Sequence, residues 1–124
     1  MSLSNYLEQK LVDHVTENAA FTAPTDIYVK LHLGDPGEDG TSNAAANTTR
    51  KVVVFGAWAA GVANATGTPV AEWVSVPNTE TYSHFSLWDN ISAGNCLGSG
   101  ALSSSAAVTA GQTFQLTALT FALD

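Results

Sequence analysis

Hydrophobic and polar positions follow two different periods along this chain, and the change falls at Pro24. Between residues 5 and 18 the apolar side chains recur at helical spacing. Leu7, Leu11 and Val15 stand at i, i+4 and i+8, with Val12 beside them, which is the stripe of a helix packed on one side. Glu8, Lys10, Asp13 and Glu17 decorate the remainder. Asn5 followed by Glu8 three residues on is a capping-box-like pair, and Asn18 is a C-terminal stop signal.

After Pro24 the period becomes two. In residues 26–33 Ile27, Val29, Leu31 and Leu33 share one face and Tyr28, Lys30 and His32 the other, the signature of a half-buried strand. On this alternation His32 belongs to the polar face, where a histidine is solvated. Residues 34–49 (GDPGEDGTSNAAANTT) are predicted to be a long loop without regular structure, and a loop of that length is often functional. Residues 50–55 (RKVVVF) read as a β-branched strand. Residues 56–68 are small and Gly-punctuated, hence a loop or broken strand. A short strand is expected at 70–76 around Trp73. Residues 82–88 alternate again, with Phe85 and Leu87 set against His84, Ser86 and Trp88, and a turn from Asp89 to Gly94 leads into residues 95–102 as a hairpin. Ala106 to Thr109 is a further short segment. Residues 113–123 (TFQLTALTFAL) are predicted to form one long final strand, whose phase shift between Leu116 and Leu119 predicts a bulge at Thr117–Ala118.

One helix and six to eight strands separated by turn signals predict a mainly β fold. It is an antiparallel β-sandwich, Ig-like or jelly-roll-like, with a short N-terminal helix. At 124 residues the whole chain is expected to be a single domain, burying roughly 65–70% of its unfolded surface. Mean hydropathy is +0.09, and no apolar run reaches the length of a transmembrane helix, about 18 residues. No basic stretch followed by an apolar one opens the chain, so synthesis in a cytoplasm is expected.

Charge narrows the picture further. The net charge is −7 with only four basic residues, Lys10, Lys30, Arg50 and Lys51, which disfavours nucleic acid as a partner. From Asn90 to the end the only charged side chain is Asp124, so this stretch offers no acid, base or cation for catalysis. The single cysteine, Cys96, excludes an internal disulfide and reads as a small core or strand residue.

Other candidate chemistry is thin. His14, His32 and His84 lie on a helix and two separate strands, and a three-histidine metal site would require all of them to converge. Asp35, Glu38 and Asp39 cluster in the Gly-rich loop without the spacing of a calcium-binding EF-hand, so solvated loop charges are the default reading. No serine sits in a G-x-S-x-G elbow, and no phosphate-cradling loop precedes a helix. The reading is therefore non-enzymatic, with no cofactor. Of the three tryptophans, Trp73 is expected in the core and Trp58, in a small-residue loop, at the surface as a candidate partner contact.

Taken together, these segments resemble a family of small virion proteins of tailed bacteriophages, variously labelled tail-fibre-like or capsid-decoration proteins. The resemblance is carried by Leu11–Val15 (LVDHV), Ala23–Pro36 (APTDIYVKLHLGDP), Val53–Gly56 (VVFG), Ser83–Asp89 (SHFSLWD), Gly94–Leu102 (GNCLGSGAL), Ala110–Phe114 (AGQTF) and Leu119–Asp124 (LTFALD). It covers nearly the whole length. The approach to the second strand departs from it, since Asn47-Thr48-Thr49-Arg50 replaces a Gly-Tyr-type sequence.

The resemblance implies a virion structural protein. One reading is a cement protein on the outer capsid surface, clamping the major capsid protein and packing with copies of itself as a homo-oligomer such as a trimer. Residues near the N-terminus, Leu3 and Tyr6 among them, would then dock on the shell. The alternative is a tail-fibre or receptor-binding module, in which Trp58 and loops 34–49 and 56–68 meet the host surface. Leu3, Tyr6, Asp35, Glu38 and Trp58 are the candidate contacts. No membrane partner is expected.

Overall fold

The computed structural model describes residues 1–123. Its elements in chain order are β1 (Ser2–Leu3), α1 (Asn5–Thr16), β2 (Ile27–His32), β3 (Lys51–Phe55), β4 (Val62–Thr66), β5 (Ala71–Trp73), β6 (Glu80–Trp88), β7 (Cys96–Val108), β8 (Phe114–Leu116) and β9 (Thr120–Ala122). Seven strands form a curled antiparallel sheet in the order β1-β7-β6-β2-β3-β4-β9, and β5 pairs with β8 in a second, small sheet. This is the mainly β, sandwich-like fold with one short helix that the alternation predicts.

Period two places the core. Val29 lies opposite Leu87 and Leu31 opposite Phe85 across the β2–β6 ladder, so four apolar side chains share one face. The small sheet covers this layer with an aromatic cluster, in which the Phe114 ring centroid is 5.2 Å from that of Tyr82 and 5.7 Å from that of Trp73. Trp73 is buried, as expected, and its indole N–H donates to the Thr49 carbonyl at 2.8 Å. Its strand ends there, because Ser75 turns into the left-handed region at φ 53°.

The helix starts one residue earlier than the capping-box reading implies. Ser4, not Asn5, is the N-cap, and its Oγ accepts from the Leu7 N–H at 3.1 Å. The same hydroxyl donates to the Cys96 carbonyl at 2.5 Å, and the Ser4 N–H donates to the Leu97 carbonyl at 3.0 Å. The helix start is thus tied to β7, a fixture that local sequence does not reveal. Asn18 adopts φ 53° beyond the last turn, consistent with its role as a stop. The apolar stripe is only partly used, since Leu7 is buried while Val12 and Val15 are exposed.

Three expectations are corrected by the long-range packing. His32 is not solvated but fully buried, because loop 34–49 folds down over the polar face of β2 and pairs Ala44 with His32. Residues 113–123 are not one bulged strand. The phase shift at Thr117–Ala118 marks the passage of the chain from β8 in the small sheet to β9 in the large one. Residues 95–102 and 106–109, by contrast, are not separate segments but belong to one strand, β7 (Cys96–Val108), whose register against β6 slips between Tyr82 and His84.

Candidate partner-binding cleft

Loop 34–49 forms one wall of a cleft beside the first turn of α1, and its position is set at its C-terminal end and in its middle. At its C-terminal end the Glu80 carboxylate accepts from the backbone N–H groups of Ala46 at 2.6 Å and Asn47 at 3.3 Å. In its middle Gly40, at φ 71°, lies against β7. A β-carbon there would come within 2.6 Å of Cys96 Sγ and 3.0 Å of the Trp88 ring, so close approach and a left-handed backbone both call for glycine. Within the loop, Asp35 accepts from the Gly37 N–H at 2.9 Å and Asp39 from the Thr41 N–H at 3.0 Å. These are Asx-type turns that hold the backbone locally. The Thr41 hydroxyl also donates to Asp39 at 2.6 Å, and this bond above all lowers the Asp39 carboxyl pKa.

Beneath the loop is a buried polar relay. His32 Nδ1 lies 2.9 Å from the Ser42 carbonyl and Nε2 lies 2.7 Å from Ser86 Oγ. The Trp88 indole N–H donates to the same Ser86 oxygen at 2.7 Å. The carbonyl obliges Nδ1 to carry the proton, so Nε2 accepts from the Ser86 hydroxyl, a neutral tautomer. Burial is the main cause that lowers the His32 pKa. The Trp88 ring is capped by the Arg50 guanidinium, whose central carbon is 3.9 Å from the ring centroid, with Lys30 Nζ at 5.8 Å. Arg50 also donates to the carbonyls of Asn90 at 2.8 Å and Ala93 at 2.7 Å, which locks the β6–β7 turn.

Between this turn, loop 34–49 and the first turn of α1 opens a cleft of about 310 Å³. Tyr6, Glu38, Asp39, Thr41 and Asn95 line its mouth, and Trp88 and Cys96 its floor. Burial raises the Cys96 thiol pKa to about 11, so the floor presents a neutral thiol and not a nucleophile. Carboxylates and an aromatic ring at the rim suit hydroxyl, amide or amine groups of a partner. Among the described residues no group of three or more His, Cys, Asp and Glu is placed to hold a metal ion, and no helix is long and apolar enough to cross a membrane.

The five candidate contacts fall in different places. Tyr6 and Glu38, 32 positions apart in sequence, both line the cleft. Asp35 is exposed on the same loop and engaged in its own turn. Leu3 is half-buried in β1, opposite Gly98 of β7, and packs against the core. Trp58 stands apart, 74% exposed, near the tip of the β3–β4 hairpin. Ala60 and Gly61 there have φ of 51° and 91°, and reciprocal bonds join Ala59 and Val62 at 2.9 and 3.2 Å. Such a two-residue primed turn gives a stiff support for the indole.

The cleft residues Asn95 and Thr41, and the Arg50–Trp88 stack that supports them, are not marked by any sequence motif. The one available signal was the scarcity of cations, which makes each of the four worth placing.

This is a β scaffold presenting an aromatic tip and an acid-rimmed cleft. A family model described as podophage GP4 fiber I protein gp80 matches residues 2–124, and the chain belongs to this family. It is a bacteriophage virion structural protein. No curated protein matches the chain.

Proposed function

We propose that the chain is a structural component of a podophage fibre, displaying surfaces to a partner and catalysing no reaction. The observation that carries this reading is the family match over residues 2–124, whose description names a fibre protein. The geometry supports it in two ways. Trp58 offers a large, exposed indole on a stiff hairpin, the kind of side chain that anchors interfaces. The Tyr6–Glu38 cleft offers aromatic and acceptor groups for a polar partner at the host surface or within the fibre.

The cement reading, with the major capsid protein as partner, draws on the same rigid β-domain but has no comparable observation behind it. Gold-labelled antibody against this chain, applied to intact particles of the parent virus, distinguishes the two. Label on fibres projecting from the tail region is expected. Label spread over the head surface would replace the fibre reading with the decoration reading.

A further inference from the structure

The outer side of β7 is a free sheet edge. β1 pairs only with Ser99 and Gly98, and among the described residues no strand pairs with that side from Gly100 to Val108. Free edges in proteins that stay monomeric are blunted by lysine, proline, bulges or a covering element. β7 contains neither lysine nor proline, nor any charged residue. Its blunting devices are two register slips against β6, one between Leu87 and Trp88 and one where Leu102 to Ser105 stand opposite Ser83 alone. Beside this edge the large sheet fails to close. An open seam of about 270 Å³ separates β7 from Ala118, Leu119 and Thr120, lined by Met1, Phe85 and Leu102 among others.

Charge selects the occupant. The chain carries −7, and no residue from Asn90 to Leu123 contributes to it. A cationic partner would be drawn to the acidic rim of the cleft rather than to this edge. A second copy, bearing the same −7, is repelled by the charged parts of the surface and least where charge is absent. Ala101, Ser103, Ser105 and Ala107, small and exposed, let a second backbone approach within strand-pairing distance, about 4.8 Å.

We infer that the β7 edge from Gly100 to Val108 is the surface through which the chain associates with a second copy of itself. This does not depend on the place of the chain in the virion. Sedimentation velocity of the purified chain, from low micromolar to near-millimolar concentration, tests it. The wild type sediments above the monomer mass of 12.9 kDa as concentration rises. The double variant Ala101→Lys, Ala107→Lys requires at least about tenfold more protein to associate. Because the lysines make the chain less negative, an unspecific charge effect would shift association the other way. Val15→Lys, on the exposed end of α1, leaves association unchanged.

Circular dichroism confirms folding of each variant. Should the double variant not fold, Ser103→Lys, at an exposed position of the slip, probes the same edge. A wild type that remains monomeric at the highest concentration overturns the inference. So do edge variants that associate like the wild type, or loss of association in Val15→Lys.

Discussion

Lowering the pH from 7.5 to 5.5 should weaken the fold through one residue, His32. It is fully buried and both ring nitrogens are engaged, one with the Ser42 carbonyl and one with the Ser86 hydroxyl. A second proton on Nε2 would place a charge under loop 34–49, with Lys30 and His84 adding repulsion. It would also turn the Ser86 oxygen into an acceptor from both His32 and Trp88, leaving its own hydrogen without its present acceptor. Burial accordingly holds the folded-state pKa below the ordinary value. The unfolded chain titrates near 6.5, so below that pH it binds more protons than the folded chain, and stability is lost as pH falls. The contribution is fully present above about 6.5. The slope below it approaches 1.4 kcal/mol per pH unit until the folded pKa is reached, which bounds the loss between pH 7.5 and 5.5 at about 1.4 kcal/mol. Urea titrations followed by tryptophan fluorescence at pH 7.5, 6.5 and 5.5 measure it. The control is His32→Gln, which removes the titrating group and leaves the other two histidines in place. That variant is less stable at pH 7.5 by about 1–3 kcal/mol, from disrupted buried hydrogen bonds, but loses less on acidification than the wild type. Equal pH slopes in the two proteins would refute the reasoning, as would a wild type that gains stability toward pH 5.5.

Four other perturbations test separate parts of the structure. Gly40→Ala forces a β-carbon toward Cys96 and Trp88 from a left-handed backbone, and should cost about 1–3 kcal/mol in urea denaturation. Native Cys96 should resist a thiol reagent such as dithionitrobenzoate at pH 8, reacting only on unfolding, because burial raises its pKa to about 11. Rapid labelling of the folded chain would show that the Gly40 loop does not seal it. Glu80→Ala removes the acceptor of two loop amides and should lower stability by about 1–3 kcal/mol, with faster hydrogen exchange at Ala46 and Asn47. Trp58→Ala should leave stability within about 0.5 kcal/mol, since the indole is exposed. If Trp58 is a partner anchor, the same change should reduce attachment of the purified protein to host cells or to other fibre components.

The elements legible in the sequence are those whose burial follows a local period. The core-facing side of β2 and β6 could be read, because Val29, Leu31, Phe85 and Leu87 fall at alternate positions and face a single core. The helix was legible for the same reason, although its stripe runs past the protein at Val15. What escaped was fixed by distant partners. Nothing near His32 announces that loop 34–49 will cover it. That depends on Glu80 holding the end of the loop and on Gly40 fitting against Cys96 and Trp88. The final segment misled because a phase shift in alternation is the same signal whether a strand bulges or passes to another sheet. The cleft was half legible, since Tyr6 and Glu38 were each candidate contacts but their lining of one cleft depends on Ser4 pinning the helix start to β7.

The most direct test of the fibre reading is cryo-electron microscopy of intact parent particles, at a resolution that separates α1 from the sheets. The fibre assignment predicts density matching this fold within fibres, with the β3–β4 hairpin and Trp58 or the Tyr6–Glu38 cleft turned toward a neighbouring component or the fibre exterior. Regularly spaced copies of the fold over the head, and none in the fibres, would contradict it.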